Sequence, residues 1–354
     1  MTTLSAKKES RLQPKIISIG FTVPERSYTQ EEIFLALGYP RHFRKIFLDA
    51  DIDKRHLWTP LSTEMSWQEA CEEYRKGAMW LSKKVVEECL DGRDASTIGS
   101  VTFASCTGYE CPSIAHLLTE EIGFSPSTLY TNILGMGCEG GAPALWRAYH
   151  HTLATGQSSL AVACEICSVC HFPEPEPDPS GEWELLRGNA IFGDGAAAVL
   201  VDFDDDPRHP HIVDFETYFN PETMDHLGFR WQDGRLRLML SRQIPKVVPE
   251  LVRIPLEKVL WRNNLALKDI TWWVIHPGGS AILSNLRDSL GLPEEKLTLS
   301  REALRRYGNT SSSSIGNVGK LLMDHEVKRG DWCVVVSIGA GLATGVTLLR
   351  WPDE

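Results

Sequence analysis

Strand-like and helix-like segments alternate along the whole chain, and an acidic stretch ending in proline, Asp202 to Pro207, interrupts them once. The alternation then restarts, and each side of the break carries a polar, glycine-flanked element before an apolar helix: Gly137-Cys138 in one, Gly308-Asn309 in the other. Together these observations predict an α/β fold built from two similar halves, residues 1–205 and 206–354, the mark of an internal duplication.

In the first half Ile16 to Val23 reads as a strand and Thr29 to Leu37 as a short helix. Trp67 to Leu90 has the apolar spacing of a long amphipathic helix, ended by Asp91-Gly92. Val101 to Ser105 is the next strand, followed by a helix over Ile114 to Ile122 and a strand over Leu129 to Leu134. That strand turns through Gly135-Met-Gly-Cys-Glu-Gly-Gly141 into a helix beginning near Ala142, and Leu160 to Val169 follows as an apolar strand. Phe172 to Ser180 alternates proline with acid, which forbids helix and central strand, so an extended surface loop is expected.

The second half opens with strand Ile212 to Phe219, a helix near Val247 to Trp261 and strand Trp272 to Ile275. A helix near Ala281 to Leu290, a serine-rich helix start at Thr310 to Ser314, and strands Cys333 to Ile338 and Val346 to Trp351 complete it.

Composition narrows the function. A chain of 354 residues with 42% hydrophobic content and 11 Trp can bury a large core. A formal charge of −11 with no basic stripe argues against nucleic acid as a partner. No window approaches the roughly 18 apolar residues of a membrane span, and the first residues lack a signal-peptide core, so a soluble cytoplasmic protein without a membrane partner is expected. Nine cysteines, an odd number, suit reduced thiols better than a disulfide framework.

Three residues carry the chemistry. Cys138 sits at a strand-to-helix turn, where first-turn N–H groups and the helix dipole favour a thiolate and glycines let an acyl donor approach. His276 ends a strand at a Pro-Gly-Gly turn, and Asn309 stands just ahead of a helix with a run of capping hydroxyls. Singly, His276 fits a structural histidine and Asn309 a plain N-cap. Jointly with Cys138 they suit carbon–carbon bond formation from a malonyl thioester, which needs a covalent acyl carrier and donors for a thioester enolate. A cysteine protease uses the same three residue types, so context must separate the two.

The context is Ser105-Cys-Thr-Gly-Tyr-Glu-Cys-Pro-Ser113, Gly137-Cys-Glu-Gly-Gly141, Cys164-Glu-Ile-Cys-Ser-Val-Cys170, Ile191-Phe-Gly-Asp-Gly-Ala-Ala-Ala198, His276-Pro-Gly-Gly279 and Gly308-Asn-Thr-Ser-Ser312. On these six ordered motifs the sequence, from about Lys15 to its end, resembles the type III polyketide synthases, chalcone synthase-like condensing enzymes, especially bacterial alkylpyrone, alkylresorcinol and phloroglucinol synthases. The resemblance implies the thiolase-like αβαβα layered fold. It implies Cys138 as nucleophile, with His276 and Asn309 polarising the malonyl thioester. Phe192 matches a gatekeeper phenylalanine, Leu238 a second gatekeeper position, and Cys167, Cys170 and Ser311 match cavity walls. Cys111 matches a loop position that crosses a dimer interface, which implies a homodimer. Lys45, Lys54 and Arg55 fall near the family's basic patch for CoA phosphates. Acyl-CoA and malonyl-CoA are the implied substrates, with no metal or other cofactor; the starter, the number of extensions and the ring closure stay open.

Three departures stand out: Glu139 follows the nucleophile where the family has a small or apolar residue, Ser337-Ile-Gly-Ala-Gly-Leu342 replaces a Gly-Pro-Gly loop, and the chain is short for the family. The Ala-Gly form is similar to fatty-acid initiating ketosynthases. A single condensation or acyl transfer, fed from CoA or a carrier protein, is therefore the alternative reading. Cys164-x2-Cys-x2-Cys170 has part of an iron–sulfur spacing but lacks the following x3-Cys-Pro and lies in a strand-like run. Gly339 to Gly345 imitates a dinucleotide loop but leads into a strand, not a helix.

Overall fold

A computed structural model of the chain describes residues 13–61, 65–170, 183–232 and 235–353. The proline–acid segment Phe172 to Ser180 lies outside the described residues. The strands are β1 (Lys15–Thr22), β2 (Ser27–Thr29), β3 (Lys54–His56), β4 (Ser100–Ala104), β5 (Leu129–Ile133), β6 (Ser159–Glu165), β7 (Gly195–Asp202), β8 (His211–Tyr218), β9 (Leu227–Gln232), β10 (Arg235–Leu240), β11 (Trp272–Ile275), β12 (Trp332–Ile338) and β13 (Thr344–Arg350). The α-helices are α1 (Gln30–Ala36), α2 (Arg44–Leu48), α3 (Trp67–Leu90), α4 (Ile114–Ile122), α5 (Gly141–Thr155), α6 (Glu184–Ile191), α7 (Ile244–Arg262), α8 (Ser280–Leu290), α9 (Thr298–Tyr307) and α10 (Ser314–Met323).

Nine strands are linked in the order β11-β12-β13-β8-β1-β7-β6-β4-β5. The run β8-β13-β12-β11 repeats β1-β7-β6-β4 in spatial order and in direction, with two antiparallel pairings and then a parallel one. One registered pair, Lys15 opposite His211, joins the two runs. Three apolar clusters lie around them. One packs α3 and α4 on the first run, through residues such as Leu81, Val85 and Leu118 against Leu160 and Leu200. Another packs α7 and α8 on the second run. The third joins both runs to Ala144, Leu145 and Ala148 of α5 and to Ile315, Val318 and Leu322 of α10. The molecule is thus layered helix, sheet, helix, sheet, helix, the thiolase-like arrangement expected from the sequence, and the two central helices are the ones that begin beside Cys138 and Asn309.

Local chemistry explains the elements. Ser66 and Glu69 form a reciprocal capping box at the start of α3, worth about 1 kcal/mol. Asp91 in the left-handed region ends that helix. Helix α7 contains Pro249 and Pro255, each of which removes a donor to the carbonyl four residues earlier. Side chains of neighbouring elements replace both donors: Asn285 Nδ2 donates to the Pro245 carbonyl (2.8 Å) and Thr344 Oγ1 to that of Leu251 (3.1 Å). The two prolines therefore tie α7 to α8 and β13 instead of breaking it.

The strand expected over Leu160 to Val169 ends at Glu165, and Cys167–Cys170 forms a 3-10 turn. The cysteine run is thus split between strand and turn, and all nine cysteines are free. The hairpin β9–β10 and helices α6 and α9 were not anticipated from the sequence. No described helix is long and apolar enough to cross a membrane.

Candidate active site

Strand β5 delivers the chain into the turn that carries Cys138. Gly135 and Gly137 there have φ of +75° and +57°, a conformation that disfavours side chains. Residues Gly137–Glu139 form a 3-10 turn, and α5 starts at Gly141, where a Cβ would lie 2.4 Å from the Ser312 carbonyl oxygen. That close approach brings the starts of α5 and α10 together.

Cys138 is buried in an apolar group with Cys167, Leu185, Phe192 and Leu238. Asn309 is held by an isolated bridge to Phe192 and is also buried. Its Oδ1 accepts from the Ser311 N–H (2.8 Å) and the Ser314 hydroxyl (3.3 Å), which aims Nδ2 at Cys138 Sγ, 4.0 Å away. One amide thus caps the helix start and donates toward the sulfur. His276 follows β11, where its N–H donates to the Val336 carbonyl (2.9 Å). The ring is buried, and its Nδ1 has no hydrogen-bond partner.

Burial decides the protonation of this group. It raises Cys138 to about 12, with the Glu165 carboxylate adding to the rise and hydrogen bonds from Ser311 and Asn309 opposing it. It lowers His276 to about 3. The thiolate expected from the helix terminus is therefore disfavoured, because desolvation outweighs the dipole, and burial favours the neutral thiol and the neutral imidazole. Alkylation of Cys138 by iodoacetamide should accordingly climb about tenfold per pH unit from pH 7 to 10. Peptide-level mass spectrometry checks this, and a plateau below pH 8 would reveal an ion pair instead.

A buried carboxylate organises the wall behind the sulfur. Glu165 accepts from the Cys106 and Thr107 N–H groups (3.0 and 3.1 Å), the Thr107 hydroxyl (2.8 Å) and the Ser312 hydroxyl (2.5 Å). It couples the end of β4, the end of β6 and the turn before α10. The sequence displayed these residues inside quoted motifs but gave no sign that they converge.

The sulfur opens on a cavity of about 710 Å³. Phe192, Cys167, Cys170, Leu238 and Ser311 all line it, as does Glu139. The hairpin β9–β10 supplies one wall through Phe229, Leu236 and Leu238. Neither Cys111 nor Lys45 nor Lys54 is among the described lining residues; Cys111 is exposed, and Lys45 is exposed and pairs with Asp49 (3.7 Å).

Arg55 is a correction. It is fully buried, so it cannot meet a CoA phosphate at the surface; Nη1 donates to the Phe192 carbonyl (2.7 Å) and Nε to Gln30 (2.9 Å). It fixes the backbone of Phe192 instead. Asp194, two residues on, accepts from the N–H groups of Trp58 and Ser168 (2.6 and 2.8 Å), fastening the same loop.

A buried cysteine with an amide aimed at its sulfur stands at the centre of a thiolase-like fold and opens on a large apolar cavity, an arrangement suited to the chemistry of a condensing enzyme. Residues 61–205 match the N-terminal domain of chalcone and stilbene synthases, and residues 212–351 match the C-terminal domain. The chain is 28% identical over 363 residues to a putative chalcone synthase of Bacillus subtilis (strain 168), covering 95% of this chain and 98% of that one. It is 30% identical over 265 residues to type III polyketide synthase B of Arabidopsis thaliana, covering 71% of this chain and 67% of that one. The crystal structure of 1,3,6,8-tetrahydroxynaphthalene synthase from Streptomyces coelicolor A3(2) superposes with a TM-score of 0.87 over 96% of this chain and 100% of that one, at 24% identity. The chain belongs to the chalcone and stilbene synthase family, the type III polyketide synthases, acyltransferases of the decarboxylating condensing class.

Proposed function

We propose that this synthase loads an acyl-CoA starter on Cys138, extends it with malonyl-CoA and closes the chain to a pyrone, resorcinol or related ring. The observation that carries the reading is the Asn309 amide, aimed by Ser311 and Ser314 at a sulfur that opens on a cavity of about 710 Å³. That volume lies within the range of sites that enclose a small ligand.

The resting protonation shapes the first step. As Cys138 Sγ attacks the starter thioester, its proton passes to the neutral His276 ring, the carbon–sulfur bond to CoA breaks, and the CoA thiolate leaves. Malonyl-CoA then loses CO2, and the bond's electrons move onto the thioester oxygen. Asn309 Nδ2 and His276 donate hydrogen bonds to that oxygen in a site that excludes water. The enolate carbon attacks the acyl group on Cys138, the carbon–sulfur bond to Cys138 breaks and leaves the lengthened chain on CoA, and transfer of that chain back to Cys138, with release of CoA, opens the next round. The substrates are CoA thioesters, no cofactor takes part, and the working unit is a homodimer.

Mass spectrometry of products from malonyl-CoA, alone and with short-, medium- and long-chain acyl-CoA starters, tests the proposal. Pyrones, resorcinols or other polyketides are expected. An acylated Cys138 without extended products would instead assign a single-transfer enzyme.

A further inference from the structure

The mechanism above leaves Glu139 without a task. Its side chain is 1% exposed, and its Oε2 has no hydrogen-bond partner. The other acids buried near the site are richly supplied: Glu165 by Thr107 and Ser312, Asp194 by Trp58 and Ser168. A buried carboxyl with no such compensation is costly, and packing alone would be served better by an apolar residue.

Its position is fixed by glycines. A Cβ at Gly339 would lie 2.4 Å from Glu139 Cβ, and one at Gly345 would lie 2.9 Å from Glu139 Oε1 and from the Trp146 ring. Bare backbone at Gly339 admits the residue's Cβ and backbone, and bare backbone at Gly345 leaves room for its carboxyl, at the wall of the cavity into which Cys138 opens. Among the described lining residues it is the sole carboxyl. The elements packed on it, β12, β13 and α5, present Ser337, Gly345 and Trp146, none of them charged, and burial alone raises its pKa.

We propose that Glu139 is a proton-transfer residue for ring closure, acting on the polyketide chain tethered to Cys138. This rests on the synthase reading. The carboxylate takes a proton from a methylene between two keto groups. The carbanion attacks a carbonyl carbon further along the chain, a carbon–carbon bond forms, and the carbonyl π electrons move to oxygen. Glu139 then returns the proton to that oxygen, leaving an alcohol that can depart as water. The carboxyl ends as it began, and no oxidant or reductant is needed.

The test compares wild type with Glu139→Gln, which keeps the shape and removes the proton transfer, using malonyl-CoA and the starter that gives product with wild type. Acylation of Cys138 and CO2 release should stay within about twofold, while the ratio of ring-closed to linear or spontaneously lactonised product should fall roughly 10²-fold. Glu139→Asp should restore part of it. In wild type the ratio should change with pH around 7, where burial has placed this group, and in Glu139→Gln it should be flat. An unchanged ratio in Glu139→Gln, or equal loss of acylation, CO2 release and ring closure, would overturn the proposal. Absence of any polyketide from wild type would overturn the synthase reading itself, a distinct outcome.

A melting series confirms that the titration belongs to Glu139. Because the folded pKa is raised from 4.5 to about 7, wild-type stability from this group is full below pH 4.5 and lost as pH rises through 7. Glu139→Gln should lack that loss; its persistence would assign the titration elsewhere and remove the basis of the proposal.

Discussion

Cys138→Ala is expected to abolish acyl-enzyme formation and lower product formation by at least about 10³-fold, because no other group at this position can carry the growing chain as a thioester. Intact-protein mass spectrometry after incubation with an acyl-CoA reads it directly: wild type gains the acyl mass and the variant does not. Cys106, Cys167 and Cys170 also line the cavity, so the measurement is a real contest among thiols. Burial raises all four. Only Cys138 has the Asn309 amide directed at its sulfur. Acylation that survived in Cys138→Ala, mapped to one of the others, would move the nucleophile.

The second large effect is expected at Asn309. Removing one preorganised donor from a developing oxyanion costs roughly 10²- to 10³-fold, so Asn309→Ala should lose condensation on that scale while retaining acylation of Cys138. The alanine also removes the acceptor for the Ser311 N–H and the Ser314 hydroxyl, so a local loosening of the α10 start would imitate a catalytic defect. Asn309→Asp keeps that acceptor but exchanges the Nδ2 donors for a second carboxyl oxygen, so an intact melting temperature with lost condensation assigns the defect to the site and not to the α10 start. Malonyl-dependent CO2 release should fall in both variants. His276→Ala should also lose condensation, with some acylation retained. Condensation at the wild-type rate in any of these variants would remove that residue from the decarboxylation step.

Much of this was legible in the chain because it is written in local pattern. The bounds of α3 and α4 follow from apolar spacing, the serine N-caps Ser66 and Ser113, and the stops at Asp91 and Gly123. Strand β11 shows as a short apolar run before His276-Pro-Gly-Gly. The hairpin β9–β10 was less visible, since its strands mix arginine with aromatic and aliphatic residues and its register depends on pairing between them. The error at Val169 has the same origin: an apolar run cannot reveal that the chain leaves the sheet at Glu165 to turn toward the cavity.

What the sequence determined by itself is the set of chemical groups and their order: a thiol in a glycine turn, a histidine at a strand end, an asparagine before serine caps, on a repeated α/β scaffold. These are properties of neighbours along the chain. The tertiary structure decided everything that depends on burial and on contacts across more than a hundred residues. It made Cys138 a resting thiol and His276 a neutral ring, because desolvation is set by the whole surround and outweighs a helix end. It sent Arg55, a cation among other cations in the sequence, into the core behind Phe192. It also set Glu139 against two glycines some two hundred residues away, at the wall of the cavity that Cys138 lines.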